Sequence, residues 1–272
     1  MSVHIVSMNA FKPAEIYGRP KEVNQFGQDI ILINKSTHKG LQISFPTLYC
    51  FGVQPFRDDP NKYSFSLQFP MENHGVASPE TDQTLAKLLE FENLVIDYMT
   101  KNSLNFFGQN RTREQVKQMY SPMVRYPKIT GTSTIDYNTP PYFKCRVPYY
   151  PKENLYKDFS VINESNEVIY KCPNKENPNS VITLGSFVKC DLHFSKIWVN
   201  KKRLWGIEIK VVKAQILPQT QEYEPFELKG KTYFILNKKD FSFIYKDGDK
   251  EDELGEKVGV FVDGEPYFKV AR

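Results

Sequence analysis

The chain has 272 residues, a formal net charge of +4 and 14% aromatic residues. This length allows a substantial buried core, and the aromatic content argues against an intrinsically disordered chain. Mean hydropathy is −0.50, and no segment approaches the roughly 18 consecutive apolar residues that a membrane helix needs. The opening MSVHIVSMNAFKP lacks the basic and apolar segments of a secretion signal. We therefore expect an intracellular protein that does not associate with membranes.

The first third of the chain predicts strands followed by helices. Alternating or β-branched segments predict strands at 30–34, 41–45 and 63–69. A helix is expected from Pro79 to about residue 101, because Ser78 can cap its free amides and apolar residues recur at helical spacing. Thr112 and Gln115 form a capping-box pattern. This pattern predicts a second, short helix over 112–120.

The segment 121–151 is rich in tyrosine and proline, which disfavours a helix and limits strands to short or edge pieces. Within it, Tyr142, Lys144 and Arg146 alternate with the apolar residues Phe143 and Cys145. This alternation predicts a strand with an apolar back and a front of one aromatic and two cationic side chains.

The segment 187–217 predicts two long strands joined by a cationic turn. On its first arm Lys189, Asp191 and His193 alternate with apolar residues, and its second arm is rich in β-branched residues. The turn is Asn200, Lys201, Lys202 and Arg203. Trp205 is in phase with core residues of its strand. Trp198 is in phase with Phe194, and both a core position and a stacking position stay open for it.

Further strands are predicted at 231–236, 241–245, 258–262 and 267–270, with a hairpin turn at Asp263 and Gly264. Short strands with few helices favour a small closed or partly closed barrel. We predict a mainly β protein with a helical insertion (α+β). Residues 1–120 are expected to form an N-terminal β-rich region with two helices, and residues 121–272 a barrel domain.

Positive charge is concentrated in the middle of the chain. Residues 125–213 contain 15 lysines and arginines against 8 acids, an excess of seven positive charges. Residues 241–256 contain 6 acids and 2 lysines, centred on the run 247–253. Such asymmetry points to a polyanionic partner, although an uneven solvated surface would explain the charge alone.

The positions of the cations favour a nucleic acid. Proteins that bind single strands combine cations along a groove with exposed rings, on which any base can stack. We predict that phosphates and bases contact a set of ten residues. These are Tyr142, Lys144, Arg146, Tyr150, Lys189, His193, Trp198, Lys201, Lys202 and Arg203.

Two alternatives remain at this stage. Asp191, Glu208 and Lys210 resemble the two carboxylates and the lysine of metal-dependent PD-(D/E)xK nucleases, although the match is loose. A structural or assembly protein of a virus particle would also suit the aromatic content. Other catalytic motifs are missing from the sequence, and we predict no metal or cofactor site. The four cysteines, Cys50, Cys145, Cys172 and Cys190, have no paired spacing. Cys145 and Cys190 lie at apolar positions of their strands, and we expect buried free thiols there.

Two segments, PPYFKCRVPYY and SFVKCDLHFSKIWVNKKRLWGIEIKVVKAQI, resemble the single-stranded DNA-binding proteins of nucleocytoplasmic large DNA viruses, the group that includes the asfarvirus protein. The resemblance covers residues 120–217 and does not extend to the first hundred residues. It implies an oligonucleotide-binding (OB) fold, no catalysis, and protection of unwound DNA during replication in the host cytoplasm or nucleus. The implied binding face comprises Lys144, Arg146, Lys189 and the turn Lys201 to Arg203. RNA binding, homo-oligomers and contacts with other replication proteins are left open.

Overall fold

The computed structural model describes residues 5–217, apart from 21–22, 24–26, 57–58 and 71–77, and five strands beyond residue 217. Contacts divide the chain into two units, Met1–Met71 with Val76–Pro218 and Glu72–Gly75 with Gln219–Arg272. The boundary predicted at residue 120 falls inside the first unit.

The first unit contains fifteen strands and three helices among its described residues. The strands are β1 Ile5–Ser7, β2 Ile16–Pro20, β3 Gly27–Asn34, β4 Leu41–Ser44, β5 Leu48–Phe56, β6 Asp59–Gln68, β7 Tyr120–Ser121, β8 Val124–Arg125, β9 Tyr142–Arg146, β10 Tyr149–Tyr150, β11 Leu155–Tyr156, β12 Ser160–Ile162, β13 Val168–Lys171, β14 Leu184–Asn200 and β15 Trp205–Leu217. The helices are α1 Pro79–Lys101, α2 Ser103–Phe107 and α3 Arg113–Gln118.

Five of these strands close into a barrel. β5 pairs with β6, and β6 with β9, both antiparallel. β9 pairs with β15 in parallel, β15 with β14 antiparallel, and β14 returns to β5. Numbered along the chain as barrel strands 1 to 5, they are joined in the order 1-2-3-5-4-1, which is the order of an OB fold. The predicted mainly β fold with a helical insertion and an OB-like barrel is confirmed.

The barrel takes strands from both sides of residue 120. β5 and β6 precede the three helices, whereas β9, β14 and β15 follow them. Strands that are distant in sequence can still pair, because the entropic cost of closing the loop between them grows only slowly with its length. The helices are therefore an insertion between the second and third barrel strands.

Strand β14 has partners on both edges. β15 lies along one edge, and β5, β4 and β3 lie in turn along the other. The pairing with β15 shifts register between Asp191 and Leu192 and again between Phe194 and Lys196. Such bulges place an extra residue on one strand and change which face the following side chains occupy.

The helices begin where the sequence predicts. The Ser78 side chain accepts a hydrogen bond from the amide of Thr81, and Pro79 is the first residue of α1. Thr112 and Gln115 form the predicted capping box of α3. Helix α2 was not predicted; it follows α1 after a single residue and is capped by Gly108 with φ of 76°.

The interior of the barrel is aromatic and aliphatic, and α1 packs against it. The ring centroid of Phe91 on α1 lies 5.8 Å from that of Phe194 on β14. Cys145 and Cys190 are buried free thiols, as predicted; Cys50 is buried too, and Cys172 is partly buried. Burial raises the pKa of Cys50 to about 12, so this thiol is protonated at neutral pH.

The described part of the second unit is a sheet of five strands, β16 Pro225–Leu228, β17 Lys231–Asn237, β18 Ser242–Tyr245, β19 Gly259–Val262 and β20 Glu265–Lys269. Its order is β16-β17-β18-β20-β19 with antiparallel neighbours throughout. The pairing of Val262 with Glu265 confirms the predicted closing hairpin. Its turn residues Asp263 and Gly264 and the acidic run 247–253 lie outside the described residues.

In the part of the chain that the structure describes, no helix combines the length and the apolar character needed to cross a bilayer.

Phe91→Ala should lower the free energy of unfolding by about 3–5 kcal/mol, because it removes a buried ring between α1 and the barrel. Leu94→Ala, on the same helix but 38% exposed, is the matched control and should cost about 1 kcal/mol or less. Urea denaturation measures both variants. Equal losses would contradict the assignment of Phe91 to the core that joins α1 to the barrel.

Candidate functional site

The outer face of β9 carries the predicted cationic strand. Phe143 and Cys145 are fully buried in the barrel, whereas Lys144 and Arg146 are exposed and Tyr142 is partly exposed. Side chains alternate between the two sides of a strand, so these three point away from the core together. The structure therefore brings Tyr142, Lys144 and Arg146 onto one surface.

Arg146 belongs to a cluster of cations around a buried carboxylate. The Glu208 side chain is 8% exposed, and its Oε1 accepts a hydrogen bond from Arg146 Nη1 at 2.9 Å. Its Oε2 lies 3.6 Å from Lys210 Nζ and 4.0 Å from Lys196 Nζ. Ser195 Oγ donates to the same oxygen at 2.9 Å. We call Glu208, Arg146, Lys196 and Lys210 the cation cluster.

The charge state of Glu208 is fixed by these neighbours. Burial by itself would raise the pKa of the carboxyl group, but Lys210, Arg146, Lys196 and the Ser195 hydroxyl together outweigh it and lower the pKa. The carboxylate thus stays ionised at neutral pH. It holds the cationic groups in place because unpaired charges in a partly buried site are costly.

His193 lies beside the cluster, since it is paired with Lys210 across β14 and β15. Burial is the main cause that lowers the pKa of its imidazole, and Lys210 lowers it further while Glu208 opposes the shift. The imidazole is therefore neutral near pH 7. His193 lies next to the predicted cations but adds a hydrogen-bonding group rather than a positive charge.

Trp198 faces outward because of a bulge. Strict alternation from the buried Phe194 would turn Trp198 inward, but the shift between Phe194 and Lys196 leaves Ile197 and Val199 inside instead. Trp198 is paired with Gly206, and a Cβ at Gly206 would lie 2.7 Å from Cζ2 of the indole. The indole therefore lies directly over the Gly206 backbone. Trp205 is fully buried, as predicted.

A chain of contacts connects Trp198 with Tyr142. Gly206 is paired with Ser121 on β7, and the Ser121 hydroxyl accepts a hydrogen bond from Arg125 Nη2 at 3.3 Å. Arg125 is in turn paired with Tyr142 on β8 and β9. Arg125 thus continues the outer face between two predicted aromatic residues.

Lys201 and Lys202 are exposed at the hairpin tip, as the sequence analysis expects of the turn. Arg203 is also exposed, but its backbone is left-handed with φ of 66°, and its Nη1 donates to the Phe106 carbonyl at 3.4 Å. The guanidinium lies against Gly108. Arg203 therefore ties the tip to α2, which leaves the two lysines as the cations that extend from it.

Lys189, Tyr150 and the tip residues Lys201 to Arg203 lie apart from the cation cluster; the tip comes after Asn200, four residues beyond Lys196 on β14. Lys189 is paired with Gln215, five residues along β15 from Lys210, which is about 16 Å at about 3.3 Å per residue. Tyr150 donates a hydrogen bond from its hydroxyl to Asp158 Oδ2 at 2.6 Å, and Lys157 lies over its ring at 5.5 Å. The bond to Asp158 is the main cause that raises the pKa of Tyr150 to about 12.

The structure places Arg125, Lys196 and Lys210 beside the predicted cations and rings. Arg125 has no alternation around it in the sequence, because β8 is only two residues long. Lys196 is out of phase with Lys189 and His193 because of the bulge. The sequence signal that could have identified Lys196 is its spacing from Trp198, since residues two apart on a strand share a face.

The nuclease triad is not assembled. Glu208 and Lys210 are close, but Asp191 is paired with Lys213, five residues from Glu208 on β15, or about 16 Å. Two carboxylates that bind one magnesium ion must both come within about 2.1 Å of it. The interpretation of Asp191, Glu208 and Lys210 as one metal site is therefore wrong. Among the described residues, no group of three or more His, Cys, Asp or Glu has a metal-binding arrangement.

Comparison with known proteins identifies no family. No family model matches the chain, and no curated protein matches it. Among solved structures, gp2.5, a single-stranded DNA-binding protein encoded by bacteriophage T7, is similar to this chain with a TM-score of 0.37 and 11% identity. The match covers 63% of this chain and 85% of gp2.5. The strand pairings, not this weak likeness, identify the barrel.

Gly206→Ala should displace the Trp198 indole, because the added methyl group would lie 2.7 Å from the ring. We expect the fluorescence emission to shift to longer wavelength as the indole becomes more exposed, while the buried Trp205 stays unchanged. The same change in a Trp198→Phe background assigns the shift. An unchanged Gly206→Ala spectrum would contradict the contact between the indole and the Gly206 backbone.

Glu208→Gln should destabilise the protein at pH 7. It should also make the free energy of unfolding less dependent on pH in the acidic range. A carboxylate whose pKa is lowered by folding contributes stability above its unfolded pKa, about 4.3, and this contribution is lost as the pH falls through the folded value. The difference between wild type and variant should therefore shrink below about pH 4.3. Urea denaturation from pH 7 to acid measures it.

Glu153→Gln removes an ion pair with Lys157 at a more exposed site and is the control for this experiment. Its effect should stay within about 1 kcal/mol at every pH. A difference between wild type and Glu208→Gln that is constant with pH would contradict the role of the carboxylate charge.

Proposed function

We propose that the protein binds single-stranded DNA without marked sequence preference and without catalysing a reaction on it. The observation that carries the proposal is the position of two cationic elements in the barrel. β9 is its third strand, and the tip between β14 and β15 is the loop between its fourth and fifth strands. OB folds bind oligonucleotides and oligosaccharides on the face of strands 2 and 3 and through the loops 1-2 and 4-5.

The charges favour a polyanion over a neutral sugar. β9, β14 and β15 together carry six lysines and arginines, at 144, 146, 189, 196, 210 and 213, against the two acids Asp191 and Glu208. Cations of this kind bind phosphates of any sequence, whereas rings such as Tyr142 and Trp198 can stack on any base. Neither group reads base identity, which supports binding with little sequence preference.

The site suits a single strand better than a duplex. Tyr142 and Trp198 can contribute only if bases are unpaired and turned toward the protein, because the bases of a duplex stack on one another. The wider role that we propose is protection of unwound DNA during viral replication. The resemblance of residues 120–217 to the DNA-binding proteins of large DNA viruses motivates this role.

Within the proposed site, Lys144, Lys201 and Lys202 are the best cations to test. All three are exposed. Arg146, Lys196 and Lys210 are less suitable, because removing any of them would also take a cationic partner from a buried carboxylate. Lys189, His193, Tyr150 and Arg203 remain in the proposal as predicted contacts.

Titration with labelled oligo-dT at several salt concentrations tests the proposal. The slope of log affinity against log salt is about −0.7 per neutralised phosphate on a single strand. Replacing Lys144, Lys201 and Lys202 by Gln should therefore make the slope less negative by about 2. Lys12, Lys101 and Lys117 are exposed lysines outside the barrel strands, and their triple Gln variant is the charge-matched control.

A slope near zero for the wild type, or equal affinity for single-stranded and duplex DNA, would overturn the proposal. Equal loss in both triple variants would show that net charge matters but the barrel face does not. Adding Mg²⁺ or Mn²⁺ to the same mixtures tests the absence of catalysis. Cleavage that disappears in Glu208→Gln would show a nuclease instead.

A further inference from the structure

A row of outward side chains crosses the barrel on the side of β5. Cross-strand pairs join Phe187 with Tyr49, Tyr49 with Gln68, Gln68 with Tyr142, and Tyr142 with Arg125. Residues that are directly opposite in a sheet share a face. Each member of the row has a chain neighbour on the opposite face that is buried in the core, namely Val188, Leu48, Leu67, Phe143 and Val124. The row therefore lies on the outer side of the barrel sheet, exposed at Phe187 and buried at Gln68, which is 8% exposed.

One end of the row is an aromatic group that the sequence analysis did not single out. The ring of Tyr49 lies edge-on to Phe51 at 5.3 Å and to Phe187 at 5.9 Å between centroids. Phe187 is 39% exposed. Edge-to-face packing is a favourable arrangement for aromatic pairs and fixes their orientation before a ligand arrives. A single exposed ring is ordinary, but these three rings touch one another, and a contiguous apolar patch on a protein surface indicates an interaction site.

The surroundings of this aromatic group indicate which ligand it takes. Lys189 is exposed and lies two residues after Phe187, so the two side chains share the outer face of β14. Arg125 ends the row on the other side. Gln68 is paired with both Tyr49 and Tyr142, but it is only 8% exposed, so the ligand-facing groups of the row are its rings and its cations. Aromatic rings flanked by cations match unpaired bases between phosphates.

We propose that Tyr49, Phe51 and Phe187 form a second stacking platform for unpaired bases, with Lys189 as its phosphate contact. This inference rests on the proposed function. The strand of nucleic acid then runs along the row from Tyr142 on β9 across β6 to Phe187. The platform also explains how Lys189, which is remote from the cation cluster, contributes to binding: it contacts the phosphate beside the stacked bases.

The platform is tested by comparing oligo-dT with an abasic oligomer of the same length, which keeps the phosphates and lacks the bases. A stacked base contributes enough to change affinity by about five-fold or more. Phe187→Leu should therefore weaken oligo-dT binding by about that factor while the affinity for the abasic oligomer and the salt slope stay unchanged. Phe187→Tyr keeps a ring and should retain wild-type affinity.

Each other outcome overturns the platform. Unchanged oligo-dT affinity in Phe187→Leu does so, and so does an equal loss for both oligomers, which would indicate general disruption. Loss of self-association with unchanged DNA binding would show that the patch contacts protein instead. If Phe187→Leu does not fold, as judged by circular dichroism, Lys189→Gln replaces it. Lys189→Gln should then make the salt slope for both oligomers less negative by about 0.7, and an unchanged slope would overturn the platform.

The failure of this inference is distinguishable from failure of the proposed function. If the wild-type protein binds oligo-dT with a steep salt dependence and Phe187→Leu binds equally well, only the platform is lost. If the wild-type protein binds neither oligomer, the proposed function itself fails.

Discussion

The pairing of β14 along both of its edges is the constraint on which the first unit depends. β15 occupies one edge, and β5, β4 and β3 occupy the other in succession. The pairing with β5 closes the barrel, while the pairings with β4 and β3 attach the N-terminal strands to it. β14 has 17 residues and follows the curved wall of a closed barrel. A strand of this length cannot keep the same pairing register throughout, and β-bulges supply the register shifts.

The bulges also decide what the barrel presents to solvent. Because the register shifts between Phe194 and Lys196, both Lys196 and Trp198 turn outward. Lys196 then reaches Glu208 and also Asp29 on β3, where its Nζ lies 2.9 Å from the carboxylate. The candidate site therefore follows from the way in which the long strand accommodates its partners, and local strand preference alone would not produce it.

Glu208 gives the cationic face a defined geometry at some cost in positive charge. A buried carboxylate with three cationic neighbours and a hydroxyl donor neutralises part of the charge that would attract phosphate. In return the cations keep fixed positions, whereas long exposed side chains lose entropy when a ligand orders them. The face is thus moderately charged and pre-ordered, and its rings Tyr142 and Trp198 lie on β9 and β14, with β15 between them.

The sequence by itself determined the local features. Ser78 and Thr112 set the helix starts, alternation set the faces of β9, and the cationic turn set the tip of the long hairpin, because each depends on neighbours in the chain. Only the tertiary structure decided that β5 and β6 share a barrel with β9, that Asp191 lies far from Glu208, and that Tyr49 and Phe187 join Tyr142 in one row. Pairing between distant strands and the bulges within them depend on the closed barrel as a whole, and no local pattern of residues encodes them.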